Sequence, residues 1–302
     1  MSTQVIQPPT QVLSPFEGVT GAIDALSIPL DGHYKISIQG RPKTGKSKFA
    51  VTMPGSKMVY DFDDRAISIQ GTPDTMIRTL KDTLNNPTAV AQIETDLSNF
   101  KYRVKQGKPI PETFIFDTIS NFIDNGIKFA YLKENPKDGR ALRLAGALNI
   151  QVGISFDRIN TTVRYLDYLL TEFAALGNVI FVFHERDEKD KAESKPLEPR
   201  YTGLVTIEPQ FCANILTFFN EVFRMEVIGS GVANTPAKYL VSCKPNNEVT
   251  ASTTLLVDAV ELPNLADMIA KSKAKKLELQ KLIPKDNVIV SLKGMQDALG
   301  LK

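Results

Sequence analysis

Gly40-Arg41-Pro42-Lys43-Thr44-Gly45-Lys46-Ser47 fits the pattern G-x-x-x-x-G-K-[S/T] at every fixed position. At average residue usage, a chain of this length yields on the order of 0.01 such matches by accident. The flanks supply the context that the chemistry needs. Upstream, His33 to Gln39 alternate polar and apolar side chains, as a strand does. Downstream, Lys46 to Met53 reads as a short helix. A strand entering a glycine-rich turn that opens a helix aims several backbone N–H groups into one concavity, which suits a polyphosphate. Gly40, Arg41, Pro42, Lys43, Thr44, Gly45, Lys46 and Ser47 are therefore assigned to a nucleotide. In that arrangement Lys46 reaches the β- and γ-phosphates and the Ser47 hydroxyl ligates Mg²⁺.

Two further stretches end in acids, as core strands with ligand-side tips do. Lys57 to Asp64 (KMVYDFDD) is an apolar run closed by Asp61, Asp63 and Asp64. Thr113 to Ser120 (TFIFDTIS) is apolar up to Asp117 and reads as a fully buried strand. Beside a P-loop, Asp117 is the expected Mg²⁺-holding acid, acting mostly through water. An aspartate that merely caps a helix starting near Ile119 is the alternative. Between these two stretches, Met76 to Leu80 suggests a third short strand, and Ala89 to Tyr102 has helical spacing.

Beyond Asp117 the pattern predicts a helix over Asn121 to Lys133 and a loop over Glu134 to Asn149 that carries Lys137, Arg140 and Arg143. An amphipathic helix follows from Ser155 to Leu176, stopped by Gly177. Asn178 to Phe183 is a second buried strand leading to His184, and Glu185 to Arg200 is a charged loop. Val222 to Ile228 and Lys238 to Lys244 flank a glycine-containing turn and predict an antiparallel hairpin appended to a parallel sheet. Pro263 to Gln280 is a basic helix, and Val288 to Leu299 is a last short element. The chain is thus read as a polar tail over residues 1–30, a core over 31–262 and a basic helical extension over 263–302.

The 302 residues carry 36 Lys and Arg against 34 Asp and Glu, a net charge of +2. Any polyanion contact must then rest on a local patch. Cys212 and Cys243 are too few for a disulfide framework or a cysteine zinc site, and suit buried thiols of a reducing compartment. No leader pattern opens the chain, and its apolar runs are strand-sized, far below the ~20 residues of a membrane span. A soluble, cytoplasmic protein without membrane contact is expected.

No Asn-Lys-x-Asp base-reading motif and no arginine-rich lid is present, which turns the reading away from GTPases and nucleotide kinases. The order of P-loop, acid-tipped strand, second acid-tipped strand, strand ending in a polar residue, and hairpin resembles the RecA-like recombinase core. Tyr34 to Ser47, Asp61-Phe62-Asp63, Phe116 to Ser120 and Val179 to Glu185 resemble the compact phage-encoded RecA-like ATPases that act in single-strand annealing. These are also described as phage nucleotide-binding AAA-type proteins. The likeness covers roughly residues 33 to 270.

The resemblance implies an α/β RecA-like P-loop core with a mostly parallel sheet, ATP and Mg²⁺ as ligands, single-stranded DNA as partner, and self-assembly into a ring or filament. Other phage replication or recombination proteins are further expected partners. Asp63 stands where the family places a glutamate that orients the attacking water, so hydrolysis is expected to be slow. His184 stands at a glutamine that senses the γ-phosphate; a structural histidine is the other reading. Lys244, with Lys238 behind it, matches the basic hairpin residues that complete a neighbouring subunit's site, although solvated strand-end lysines would look the same. DNA contact falls on Lys137, Arg140 and Arg143. A helicase-like motor or helicase loader, and a nucleotide-binding scaffold with negligible hydrolysis, are the competing functions on the same core.

Overall fold

Alternation along the core strands sorts aromatic from aliphatic side chains onto opposite faces of one sheet. In β4 (Thr113–Asp117), Phe114 and Phe116 face one way and Ile115 the other. In β5 (Asn178–Val182), Val179 and Phe181 oppose Ile180 and Val182. The aromatic face receives α2 (Ala89–Lys105) through Ala89, Ile93 and Leu97, and α4 (Phe156–Ala174) through Leu166, Leu169, Leu170 and Phe173. Phe173 packs edge-on against Phe116, with ring centres 5.3 Å apart. The aliphatic face is covered by the short α1 (Lys46–Ala50) and by α5 (Leu265–Leu282), whose Leu265, Met268 and Ile269 join Ile36 and Ile38 of β1 (Lys35–Gln39). Burying both faces is what a mostly parallel sheet requires.

This computed structural model describes residues 32–83, 85–130, 156–185, 204, 215–229, 236–245 and 251–282. By contacts the chain divides into Met1–Gly32 and His33–Lys302, and the sheet lies wholly in the second unit. Its remaining strands are β2 (Lys57–Asp61), β3 (Thr75–Thr79), β6 (Glu221–Ile228), β7 (Lys238–Ser242) and β8 (Val260–Glu261). The order across the sheet is β3-β2-β4-β5-β1-β6-β7-β8. Pairing is parallel from β3 through β6, then antiparallel from β6 to β7 and from β7 to β8. The α/β class, the mostly parallel sheet and the appended hairpin agree with the sequence reading.

The chain leaves β1, skips two positions to reach β2, and later returns to fill both flanks of β1 with β5 and β6. The C-terminal end of β1 is therefore a topological switch point, where open parallel sheets form a crevice. One element departs from its expected form. The helix predicted from Asn121 begins earlier, as α3 (Ile119–Asn121), and continues as a π-type turn over Phe122–Ile127. A Cβ on Gly126 would meet the Phe122 ring at 2.5 Å, so the widened turn lets that ring lie against bare backbone. Cys243 is buried in the aliphatic core, whereas Cys212 lies outside the described residues. No helix among the described residues is long and apolar enough to cross a membrane.

Candidate functional site

The loop between β1 and α1 is shaped by glycine where no other residue would fit. Gly40 has φ +151°, and a Cβ there would sit 2.7 Å from the Met225 carbonyl oxygen and 2.9 Å from Thr44 Oγ1. Gly45, at φ +85°, caps α1 in the left-handed region. The first turn of α1 contains no acid and receives no side-chain cap, so nothing of its own competes with an anion there. Thr44 Oγ1 donates to Arg41 O at 2.9 Å and braces the loop internally. Lys46 is only 5% exposed, and its amine donates to Gly40 O and Arg41 O at 2.8 and 2.7 Å. Burial pushes the Lys46 amine down to about 8, against the pull of Asp117, Glu185 and Asp63.

Asp117 ends β4, two strands from β1, and its carboxylate accepts from the Ser47 hydroxyl. Burial pushes its carboxyl up to about 6; the Ser47 bond and Lys46 lower it, and Asp63 and Asp61 raise it further. The helix-capping alternative for Asp117 is excluded, because Thr118 is the N-cap of α3 and its side chain accepts from the Asn121 N–H. A hydroxyl bonded to a carboxylate at a phosphate loop fits Mg²⁺, which is held by one or two protein oxygens plus phosphate and water. Ser47 and Asp117 are the residues that would hold it.

Asp63 sits in the turn after β2. Its carboxylate accepts from Thr118 Oγ1 at 3.1 Å and from the Asn121 amide, and lies 3.7 Å from His184 Nε2. Burial pushes the Asp63 carboxyl up, but the His184 and Thr118 bonds and the nearby His184 and Arg65 charges outweigh it, leaving the group below its ordinary value. His184 is tied to α3 by its backbone N–H, which donates to Ser120 Oγ at 3.3 Å. Its Nδ1 is buried without a protein partner. Such an orphaned atom at a ligand cleft is a place for a ligand or a water.

Lys46, Ser47, Asp61, Asp63, Asp117 and His184 thus line one cleft of about 840 Å³, together with Pro42 to Gly45. Lys244 is not among its lining. β7 runs antiparallel to β6 and ends at Ser242 opposite Arg224, so Lys244 continues away from the loop end and is exposed. Lys238 lies at the other end of β7, opposite Ile228. Lys137, Arg140 and Arg143 lie outside the described residues.

Two participants were not anticipated. Glu185 is buried, its N–H donates to Gly40 O at 3.2 Å, and its carboxylate accepts from Arg224 Nε at 2.7 Å. Arg224 of β6 also donates to Glu226 at 2.6 Å. The available signal was an arginine between Phe223 and Met225, a charge inside an apolar strand. A charge in that position needs a buried partner.

Residues 33–255 match the family described as AAA domain. The chain belongs to that family. No functionally curated protein matches the AAA domain chain in sequence at a significant level. Among solved structures it is similar to a KaiC-like protein of the archaeon Pyrococcus horikoshii, at 11% identity and a TM-score of 0.35, covering 69% of this chain and 76% of that one. It is also similar to the flagellar accessory protein FlaH of Methanocaldococcus jannaschii, at 13% identity and a TM-score of 0.34, covering 72% and 83% respectively.

Proposed function

We propose that this AAA domain protein is a Mg²⁺-dependent ATPase on a RecA-like core that binds single-stranded DNA and promotes annealing or strand pairing. The observation that carries the ATPase reading is the convergence of Lys46, the Ser47–Asp117 pair and Asp63 on one cleft. On this reading the loop N–H groups hold the phosphates, and the Lys46 amine exchanges the Gly40 and Arg41 carbonyls for phosphate oxygens. Mg²⁺ at Ser47 and Asp117 would neutralise charge on the β- and γ-phosphates. Asp63, kept ionised and steered by Thr118 and Asn121, orients the attacking water and takes up its proton. His184, whose Nε2 faces Asp63 and whose Nδ1 has no protein partner, would be the sensor of the γ-phosphate.

The DNA and phage recombination parts of this reading are supported by the resemblance described under Sequence analysis and by the basic segment with Lys137, Arg140 and Arg143. Assembly into a ring or filament, with Lys244 reaching a neighbour's site, belongs to the same reading. Steady-state turnover with and without single-stranded DNA, combined with annealing and strand-displacement assays, tests it. Expected are Mg²⁺-dependent turnover stimulated by single strands and pairing of complements without unwinding. ATP-dependent unwinding would make the protein a motor or helicase loader. Nucleotide binding without turnover or pairing would make it a scaffold.

A further inference from the structure

The cleft has two chemically different ends on either side of β1. Toward β2 and β4 stand Asp61, Asp63 and Asp117; toward β6 and β7 stand Met225 and Tyr239. β4 and β7 are four strand spacings apart, roughly 19 Å at 4.8 Å each. The hairpin makes the second end because it overhangs. β1 stops at Gln39, level with Arg224, while β6 runs on to Ile228 and brings β7 back beside it. Tyr239 pairs with Val227 in that overhang, on the same face as Met225 and Val241. Its ring therefore lies on the α1 side of the sheet, and a Cβ on Gly45 would come within 3.2 Å of Tyr239 Cδ1.

A strand tyrosine that only closes the core would be covered, yet Tyr239 is 42% exposed while lining the cleft beside the phosphate loop. We propose that Tyr239 is the platform on which the base of the bound nucleotide stacks. The inference rests on the nucleotide reading above. Ser47 and Asp117 would hold the metal that offsets charge at the terminal phosphates, which would set the γ end of the ligand at the carboxylates. Its α-phosphate, ribose and base then extend the other way, over Gly45 toward Tyr239. Every nucleobase has a π-face, so a stacking platform accepts purines alike and reads no base edge.

Binding of MgATP, MgGTP and inorganic tripolyphosphate with Mg²⁺, measured by calorimetry, tests the assignment. Tyr239→Ala should weaken ATP and GTP by roughly tenfold, the range of one base–aromatic stack, and leave tripolyphosphate within twofold. Tyr239→Leu, which keeps apolar bulk against Gly45, should show the same split. Tyr239→Phe should retain wild-type affinity for all three. A parallel loss of tripolyphosphate would reduce Tyr239 to a prop for the phosphate loop, and unchanged ATP affinity would place the base elsewhere; either overturns the proposal. Failure of the wild-type protein to bind any of the three ligands would instead overturn the nucleotide reading itself.

Discussion

The tips of β2 and β4 carry the same residue in register, Asp61 opposite Asp117, and use it in opposite ways. Asp61 is saturated by its own turn, accepting the backbone N–H groups of Asp63, Arg65 and Ala66 at 3.0, 3.1 and 3.1 Å. Asp117 receives the Ser47 hydroxyl and lies within the influence of Lys46. The first carboxylate shapes a turn and so aims Asp63 into the cleft. The second keeps lone pairs for a ligand, at the cost of sitting desolvated. What a carboxylate can do at a sheet edge is decided by how many of its lone pairs the backbone has already taken.

The largest effects should come from the ligand side of that comparison. Lys46→Ala removes the buried cation at the loop and should lower MgATP turnover or affinity by about a hundredfold or more, the loss typical of one charge-stabilising group. Asp117→Asn should cost a similar factor in Mg²⁺-dependent turnover while leaving the melting temperature of the nucleotide-free protein unchanged or higher. Were Asp117→Asn to lower the melting temperature and keep its turnover, the two tips would have exchanged roles.

The Gly40–Ser47 pattern and the acid-tipped strands were legible in the sequence because each is a local signal: spacing in the first, an apolar run closed by an acid in the others. The hairpin was legible for the same reason. The resemblance singles out Asp63, but only the turn geometry shows why Asp61 is unavailable: three N–H groups occupy it. The Glu185–Arg224 pair joins residues 39 positions apart across β5 and β6. Its two halves become partners only because β1 lies between those strands. The π-type turn also escaped, because the close approach of the Phe122 ring to Gly126 that it accommodates leaves no periodic signal.

Glu185 sharpens the contrast from a third position, being saturated by a side chain of another strand rather than by its own turn. Its side chain is 1% exposed, so removing Arg224 strands a buried charge beneath the phosphate loop. Arg224→Ala should cost about 3 kcal/mol in urea unfolding. Arg224→Met combined with Glu185→Gln should recover most of it, since neither partner then carries a buried charge. Absence of recovery would mean that Arg224 acts by packing rather than by pairing.

Asp61→Asn tests the turn directly. An amide keeps one acceptor oxygen but brings two donors to a site built from three donors, so charge-assisted bonds are lost and like groups meet. A loss of about 2 kcal/mol is expected, with nucleotide affinity changed less than turnover, because Asp63 is displaced while the loop is not. Stability unchanged with turnover lost would put Asp61 among the ligand-facing acids and dissolve the distinction between the two tips.

The smallest effect is one of pH, and it reads the cost of keeping Asp117 and Lys46 ready. Asp117 is raised from 3.8 to about 6, chiefly by burial. Between those values the folded protein binds more protons than the unfolded chain, so stability is present at low pH and lost as pH rises toward about 6. Lys46 is lowered from 10.5 to about 8, again chiefly by burial. Between about 8 and 10.5 the folded protein binds fewer protons, so stability is gained as pH rises and lost as it falls through the folded value. Both desolvated charges are present together between about 6 and 8, the window in which MgATP has most to relieve. Thermal melts of the nucleotide-free protein across pH 4 to 10, taken as differences from each variant, isolate the two groups from other titrations. Asp117→Asn should remove the acid limb of the difference curve, and Lys46→Met should remove the alkaline limb. MgATP should raise the melting temperature most between pH 6 and 8. A difference curve for Asp117→Asn that is flat from pH 4 to 6 would show that Asp117 is as well solvated as an ordinary carboxylate, and the comparison with Asp61 would lose its energetic basis.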